Sequence, residues 1–462
     1  MVMRFDASSI ATSERMKEVA DIILSYADEK PVIVLSAMGK TTSKLLQVGN
    51  KAERCSASNV CEIEEWKFIK DLHLKTINEL GIDEEIISGV LDELKKLFEG
   101  IAMRKELTDC SKDYLMSFGE CMSTRIFVAY LTKTGTKARQ YDAVDIGFIN
   151  TDDFTNTNIL EASYPSVAER LLEDCLKEPA IPVVNNILGK FWSSRATTTL
   201  ERCASDLTAT LIAKALGLRE IQIWMDTDGV LTCDPNIHPH AVTVPSLTFE
   251  EAIELAYSGS QVLHPQSMQL ASEAEISVMV KNSNNPTAAG TLITKGREMN
   301  EIVLTSIVLK SNITMLSIVS SRTLGQYDFL AKVFSIIEEF GISVGCISIT
   351  QVSICVTLEP FKPGNREPIP QEMDHVVEEL ENFAAVHLLR ERSVISLIGN
   401  LQHSSLILEK AFNVLCEEGI NAQMTSQGAS KVKISFVVHD SEAQTCVGAL
   451  HAAFFENTDG HL

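Results

Sequence analysis

The stretch Pro31-Val-Ile-Val-Leu-Ser-Ala-Met-Gly-Lys-Thr-Thr42 decides the fold class. Its first five residues are a short apolar run, closed by Ser36 and Gly39. Such a run reads as a buried strand entering a turn. Working outward, residues 8–28 carry Ile10, Met16, Val19, Ala20, Ile22 and Ile23 at helical spacing. Residues 60–100 are polar and helical in period, a helix pair broken near Gly81. Met116 to Leu131 is a further amphipathic helix. Glu220-Ile-Gln-Ile-Trp224 is another strand, entering the turn Asp226-Thr-Asp-Gly229. Phe249 to Tyr257 is helical again. Strands alternating with helices predict an α/β layer fold.

The last third of the chain repeats itself. Phe329-Leu-Ala-Lys-Val-Phe-Ser-Ile-Ile-Glu-Glu-Phe-Gly-Ile342 is echoed by Ile407-Leu-Glu-Lys-Ala-Phe-Asn-Val-Leu-Cys-Glu-Glu-Gly-Ile420, with Phe334 matching Phe412 and Gly341 matching Gly419. Each copy has a strand before this helix (312–319, then 393–398) and strands after it (351–358, then 431–438). A second helix follows, Glu372–Glu381 in one copy and Asp440–Phe454 in the other. Strand, helix, strand, strand, helix predicts a ferredoxin-like split βαβ unit. Two copies side by side point to ligand binding at a shared edge, or to a structural or dimerising pair. The segment Pro360–Pro370 reads as a solvated loop inside the first copy.

At 462 residues the chain is long enough for about three domains. Forty Lys and Arg stand against 62 Asp and Glu, a formal charge of −22. So acidic a surface repels phosphate backbones and anionic lipids, which argues against nucleic-acid or membrane partners. The eleven cysteines include no C-x-x-C pair, and Cys55, Cys61, Cys110, Cys121 and Cys203 have neither zinc-site nor disulfide spacing. No apolar run reaches the ~18 residues of a membrane span. Arg4, Asp6, Glu14 and Arg15 come too early for a signal peptide.

Several segments could carry chemistry. Ser36-Ala-Met-Gly-Lys-Thr-Thr42 has the strand and the Gly-Lys of a P-loop, but position 34 is Val where that motif needs Gly. The turn can still offer amides and hydroxyls to phosphate, or be a plain loop. Thr198-Thr-Leu-Glu-Arg-Cys-Ala-Ser-Asp-Leu-Thr208 places Arg202, Ser205 and Asp206 before a helix over Leu207–Leu216. Ser205 or Asp206 is either an N-cap or part of an anion cradle. Phe118-Gly-Glu120 is read as the start of a helix; Glu120 would bind an ammonium group or favour the helix dipole. His264 reads as a structural turn residue and His238-Pro-His240 as loop. No Ser/His/Asp arrangement and no metal-ligand cluster is legible.

These motifs together resemble the aspartate kinases of the amino-acid kinase family, and closely the monofunctional plant type. The resemblance rests on Met16-Lys-Glu-Val-Ala-Asp21, Val32–Thr42, Ser117-Phe-Gly-Glu-Cys-Met-Ser-Thr-Arg125, Ala138-Arg-Gln-Tyr-Asp142, Ser205-Asp-Leu-Thr-Ala209, Asp228-Gly-Val-Leu-Thr-Cys-Asp-Pro235 and Val262-Leu-His-Pro-Gln-Ser267. It covers essentially the whole chain, and the repeats are similar to ACT domains. It implies an amino-acid kinase domain, an αβα sandwich, over 1–300, and ACT domains over 301–390 and 391–462. It implies transfer of phosphate from ATP, with Mg²⁺ on the phosphates, to the β-carboxylate of L-aspartate. The 4-phospho-L-aspartate so formed leads to lysine, threonine, methionine and isoleucine. By the same resemblance, Arg4 and Asp206 are catalytic. Glu120, Arg202 and Ser205 hold the aspartate. Arg4, Ala7, Ser36, Asp226, Gly229 and Asp234 line the nucleotide. Gly325, Gln326, Phe329, Leu330 and Gly345 mark the site of an amino-acid effector of the lysine family. A homodimer through the ACT domains and a place in the chloroplast stroma follow too; with no transit peptide legible, the cytoplasm is the alternative.

The sequence departs from the family at four places. Where the family opens Lys-Phe-Gly-Gly-[Ser/Thr]-Ser, this chain has Arg4-Phe-Asp-Ala-Ser-Ser9. Where the family has Thr-Leu-Gly-Arg-Gly-Gly-Ser-Asp, it has Thr199-Leu-Glu-Arg-Cys-Ala-Ser-Asp206. Met225 and Gly345 stand where relatives usually carry Lys and Asp. Asp6 against a phosphate at 4 Å would repel it by roughly 4 kcal/mol at an effective dielectric of ~20. That is about a thousandfold in rate. Two readings follow: an active aspartate kinase, or a catalytically weak paralogue serving as a regulatory partner subunit.

Overall fold

The structure is a computed structural model. It describes residues 1–142, 146–147, 164–185, 204–260, 264–296, 303–320, 326–340, 342–350, 352–359 and 370–456. They form two compact units, Met1–Val230 with Gln266–Lys295, and Leu231–Pro265 with Gly296–Leu462.

The first unit is built on a mostly parallel sheet. In chain order its strands are β1 (Val2–Phe5), β2 (Val32–Leu35), β3 (Ala138–Tyr141), β4 (Ile181–Val184) and β5 (Glu220–Met225), then β7 (Ser277–Asn282) and β8 (Thr291–Thr294). The short β6 (Ser246–Thr248) belongs to the second unit. Laterally the order is β3-β4-β2-β1-β5-β7-β8. Neighbours are parallel except β7 and β8. β1 and β2 are buried at every position, as strands in a sheet covered on both faces should be; β2 is wholly apolar, and β1 is apolar except at Arg4. Phe5 sits level with Leu35 and Trp224, so β1 and β2 end together and β5 ends one residue on, at Met225, all at one edge. Trp224 is fully buried and stacks on Phe5 at 5.8 Å. The chain passes from β1 to β2 on one side and later to β5 on the other. In open α/β sheets ligands bind outside the carboxyl ends at such a reversal.

The expected helices form around this sheet. α1 (Ser13–Ser25) starts at Thr12, whose hydroxyl accepts from Arg15 N at 3.3 Å, and it buries Met16, Val19, Ala20, Ile22 and Ile23. α2 (Thr41–Arg54) follows β2. α3 (Glu64–Leu80) ends at Gly81 in a left-handed conformation, and α4 (Glu85–Arg104) follows. α5 (Asp109–Lys133) is longer than its apolar pattern indicates, because Thr108 caps it by accepting from Ser111 N at 3.2 Å. Phe118-Gly-Glu120 therefore lies in mid-helix, not at a helix start. Glycine there costs about 1 kcal/mol relative to alanine. It lets α5 close on the turn after β2, where a Cβ on Gly119 would lie 2.8 Å from Ala37 Cβ. α6 (Tyr164–Lys177), α7 (Ala204–Ala215) and α9 (Pro265–Glu273) complete the layers, and α8 (Phe249–Tyr257) belongs to the second unit.

His73, on α3, is wholly buried, with Nδ1 2.7 Å from the Ile69 carbonyl. Burial pushes its pKa down from 6.5 to about 4, and the Ile69 hydrogen bond opposes this. The unfolded chain therefore takes up this proton at a higher pH than the folded one. The stability His73 contributes is complete above pH 6.5 and is lost as the pH falls toward 4. The loss amounts to about 3 kcal/mol. A His73→Gln chain should lose that much less than the parent over the same interval, measured as urea midpoints. Parallel pH profiles would refute this.

The second unit carries the repeats. β9 (Leu304–Ser320), α10 (Gln326–Glu339), β10 (Ser343–Ile349), β11 (Ser353–Glu359) and α11 (Pro370–Glu381) form the first copy. β12 (Ala384–Gly399), α12 (Ser404–Glu417), β13 (Met424–Ser426), β14 (Lys433–His439) and α13 (Asp440–His451) form the second. All six strands make one sheet in the order β10-β11-β9-β12-β14-β13. The long strands β9 and β12 pair antiparallel along their length, with register shifts around Leu389–Val394. There Asn312 and Glu391 adopt left-handed backbone conformations. Beyond these shifts Ser306–Leu309 pair with Ile395–Ile398, and Leu304 and Ile307 pack in the second copy's core beside Ile395, Leu397 and Phe436. Residues 304–309, expected in the first copy, thus complete the second. The first copy is an insertion within it, with its own core around Leu316, Phe329, Val333 and Val356.

Candidate active site

At the carboxyl edge of the first unit's sheet, four predicted residues come together. Arg4 on β1 is buried, with only 5% of its surface exposed. Its Nε lies 2.7 Å from Asp206 Oδ1, in the first turn of α7. The Nε–H is directed at Ser205 Oγ, 3.2 Å away. The carboxylate is thus held by charge more than by an aligned hydrogen bond. Ser205 Oγ shares a hydrogen bond with Ser36 Oγ at 3.0 Å. Ser123 Oγ, one turn beyond Glu120 on α5, donates to the Ser36 carbonyl at 2.7 Å. α7 is anchored in turn, because Thr210 Oγ1 and Ser267 Oγ both donate to the Asp206 carbonyl, at 3.0 and 3.1 Å.

The charges here oppose one another. Burial pushes the Asp206 carboxyl above the usual range, Arg4 pulls it down, and Asp6 adds to the rise. The Asp6 carboxylate turns back on its own loop, accepting from Ser8 Oγ at 2.7 Å, Ser9 N at 2.8 Å and Ser9 Oγ at 2.5 Å. The Ala7 carbonyl accepts from Gly39 N at 2.9 Å, and Gly39 has a φ of +51°. The loops after β1 and β2 are thereby laced together.

The turn after β5 lies on the other side of β1. Gly229 has a φ of +123°, and Val230 N donates to Thr291 Oγ1 at 2.8 Å. Asp228 accepts from Asn282 Nδ2 at 2.8 Å, while Asp226 is exposed. Asp234 falls in the second unit, where its carboxylate accepts from Asn236 N in its own turn. Ser9 and Ser283, not singled out from the sequence, share a hydrogen bond at 2.8 Å, and Arg15 donates to Ser283 Oγ at 2.6 Å. The signal for Ser283 was a polar cluster, Asn282-Ser-Asn-Asn285, directly after a strand. Arg202 and Gly325, and the side chain of Gln326, lie outside the described residues. Phe329 is buried in the first copy's core and Leu330 packs against it, whereas Gly345 is exposed on β10.

Comparison with known proteins agrees with this architecture. Residues 1–282 match the model of the amino acid kinase family and residues 395–454 that of an ACT domain. The chloroplastic aspartokinase 1 of Arabidopsis thaliana is 63% identical over 458 residues, spanning 99% of this chain and 80% of that one. The crystal structure of E. coli aspartokinase III with aspartate and ADP aligns with a TM-score of 0.83 at 29% identity, over 98% of this chain and 99% of that one. The same enzyme with lysine and aspartate gives a TM-score of 0.77 at 29% identity, over 98% and 99%. With a family model matched over more than half its length and a plant aspartokinase so similar over nearly all of it, the chain belongs to the amino acid kinase family, on its aspartokinase branch.

Proposed function

We propose that this chain transfers the γ-phosphoryl group of ATP to the β-carboxylate of L-aspartate, and that Arg4, Ser36, Ser205 and Asp206 surround the transferring group. A buried guanidinium beside two hydroxyls and a helix N-terminus, at the sheet's topological reversal, is the observation that carries this reading. The carboxylate oxygen forms a bond to the γ-phosphorus, and the bond to the oxygen bridging to ADP breaks. A carboxylate is already ionised at pH 7, so the attack needs no general base. What it needs is positioning and charge neutralisation. Arg4 supplies the charge, Asp206 holds Arg4 in place, and Glu120 with Arg202 receives the substrate's ammonium and carboxylate.

The donors at this edge are oxygens, with one carboxylate already paired to Arg4. That set suits Mg²⁺ carried in on phosphates, since this ion keeps waters and takes one or two carboxylates. When bound with the nucleotide it would neutralise charge on the phosphates.

The ACT unit is proposed to bind an amino-acid effector, which the E. coli relative's complex with lysine supports. Pairing of two chains through β10 is supported by its place at the sheet edge and by exposed Ile347 and Ile349. The chloroplastic relatives support a plastid location, and among the described residues no helix is long and apolar enough to cross a membrane.

A weak, regulatory chain is the second reading, favoured by the Asp6 carboxylate close enough to raise Asp206. One assay separates the two. Purified chain, aspartate and Mg-ATP are incubated with hydroxylamine, which traps the acyl phosphate as hydroxamate. Hydroxamate is expected from the unmodified chain. Asp6→Gly with Ala7→Gly should raise turnover about tenfold (about 1.4 kcal/mol). The same change should cost about 1–2 kcal/mol of stability, since three hydrogen bonds to Asp6 are lost. Product from the double variant alone would establish the regulatory reading. Silence from both would refute the kinase.

A further inference from the structure

Away from the phosphate edge, the second unit gathers side chains of metal-ligating type, of which the sequence analysis singled out His238 alone, and as loop. His238 lies in the turn after Asp234, His451 is the last residue of α13, and Glu456 ends the turn that follows it. His238 Nε2 lies 2.5 Å from Glu456 Oε1, and His451 Nδ1 lies 3.1 Å from the same oxygen. The three donor atoms all fall within 4.8 Å of one another. His451 is fully buried while Glu456 is exposed, so the cluster has a protein wall on one side and solvent on the other.

The backbone is shaped to bring this about. An α-helix completes a turn every ~3.6 residues, which would carry residue 456 well off the face of residue 451. Ala452–Glu456 instead form a π-helical turn. Bonding from i to i+5 sets the fifth residue back over the first, and such turns concentrate at functional sites. The other nitrogen of His451 is also held, since Nε2 lies 2.9 Å from Thr232 Oγ1, which accepts from Val242 N at 3.0 Å. A partner on the second ring nitrogen fixes tautomer and orientation, the support that a ligating imidazole carries.

We propose that His238, His451 and Glu456 form a binding site for Zn²⁺ or a similar transition-metal ion, with water in the fourth position. Two imidazoles and one carboxylate are a known donor set for Zn²⁺ with an open position. Ca²⁺ and Mg²⁺ call for more oxygen ligands than are gathered here. On binding, His238 Nε2 and His451 Nδ1 exchange their hydrogen bonds to Glu456 for bonds to the ion. Each ring proton moves to the other nitrogen, where that of His451 donates to Thr232. The ion would pin the His238 turn to the end of α13, and so to the second repeat.

The test uses the full chain, stripped with a chelator and dialysed, then titrated with Zn²⁺ against a chromophoric competitor and with Co²⁺ by visible absorption. One equivalent is expected, with the intense Co²⁺ bands of four-coordinate geometry. His238→Ala and Glu456→Gln should each weaken Zn²⁺ binding at least about a hundredfold, and Thr232→Val about 10–100-fold. His238 and Glu456 stand at the surface side of the cluster, so circular dichroism should show both variants folded. Zn²⁺ held equally by parent and both variants, or not held by the parent, would overturn the site.

Discussion

Arg4→Ala is expected to cut hydroxamate formation by at least about a thousandfold, a loss of about 4 kcal/mol of transition-state stabilisation. Arg4 is the cation that the structure places beside Ser205, Ser36 and the start of α7. The fold suffers as well. The side chains of Arg4 and Asp206 are 6% and 2% exposed, and removing one partner of so buried a pair costs about 3–5 kcal/mol. Burial already lifts the Asp206 pKa, and losing Arg4 lifts it further. The variant's carboxyl then takes up a proton more readily when folded than when unfolded, so its stability should recover as the pH falls from 7 toward 5. The parent should recover less. Arg4→Lys keeps the charge but only one of the two contacts at Nε, and should hold activity within about tenfold. Urea midpoints and hydroxamate rates at pH 5 and 7 check both halves. A folded Arg4→Ala chain with parental turnover would remove Arg4 from the reaction.

The second large effect is expected at Gly119. A Cβ there would lie 2.8 Å from Ala37 Cβ, 3.2 Å from Thr41 Cγ2 and 3.4 Å from Leu45 Cδ1. Gly119→Val must push α5 off the turn after β2, at a cost of about 1–3 kcal/mol for overpacking. The same shift moves Ser123 from the Ser36 carbonyl and carries Glu120 with it. A misplacement of ~1 Å in a positioned site costs about a hundredfold in rate. We expect kcat/KM for aspartate to fall by that factor while the chain still unfolds cooperatively. An unchanged kcat/KM would show that the approach of α5 does not set the site.

Much of this was legible without coordinates, for physical reasons. A parallel strand covered on both faces is predominantly apolar, so the unbroken run Val32–Leu35 declared itself. Helix faces at Met16, Val19 and Ile23 followed from periodicity. The carboxyl-edge residues Arg4, Ser36, Ser205 and Asp206 lie in motifs that a resemblance can carry. What stayed hidden depends on distant neighbours. Periodicity does not say which strand a strand pairs with, so the exchange of Leu304–Leu309 into the second copy could not be read. Phe334 and Phe412 occupy matching places in the repeat, yet Phe334 packs against its core while Phe412 is 44% exposed. Asp6 was expected to face phosphate, but short hydroxyl residues two and three positions on, Ser8 and Ser9, bind its carboxylate first. His238 read as loop because its partners lie at the far end of the chain.

The insertion of one repeat inside the other has a consequence for biosynthesis. A ribosome that has delivered residue 390 has completed one small domain. It has also left the strand at 304–309 without its partner until residues 395–398 emerge. For that interval the nascent chain shows an open strand edge, the kind that recruits other chains. Cutting the gene at 390 would make this exposure permanent. Joining residue 310 to residue 393 through a two-residue Asn-Gly turn would remove one repeat cleanly and leave the other whole.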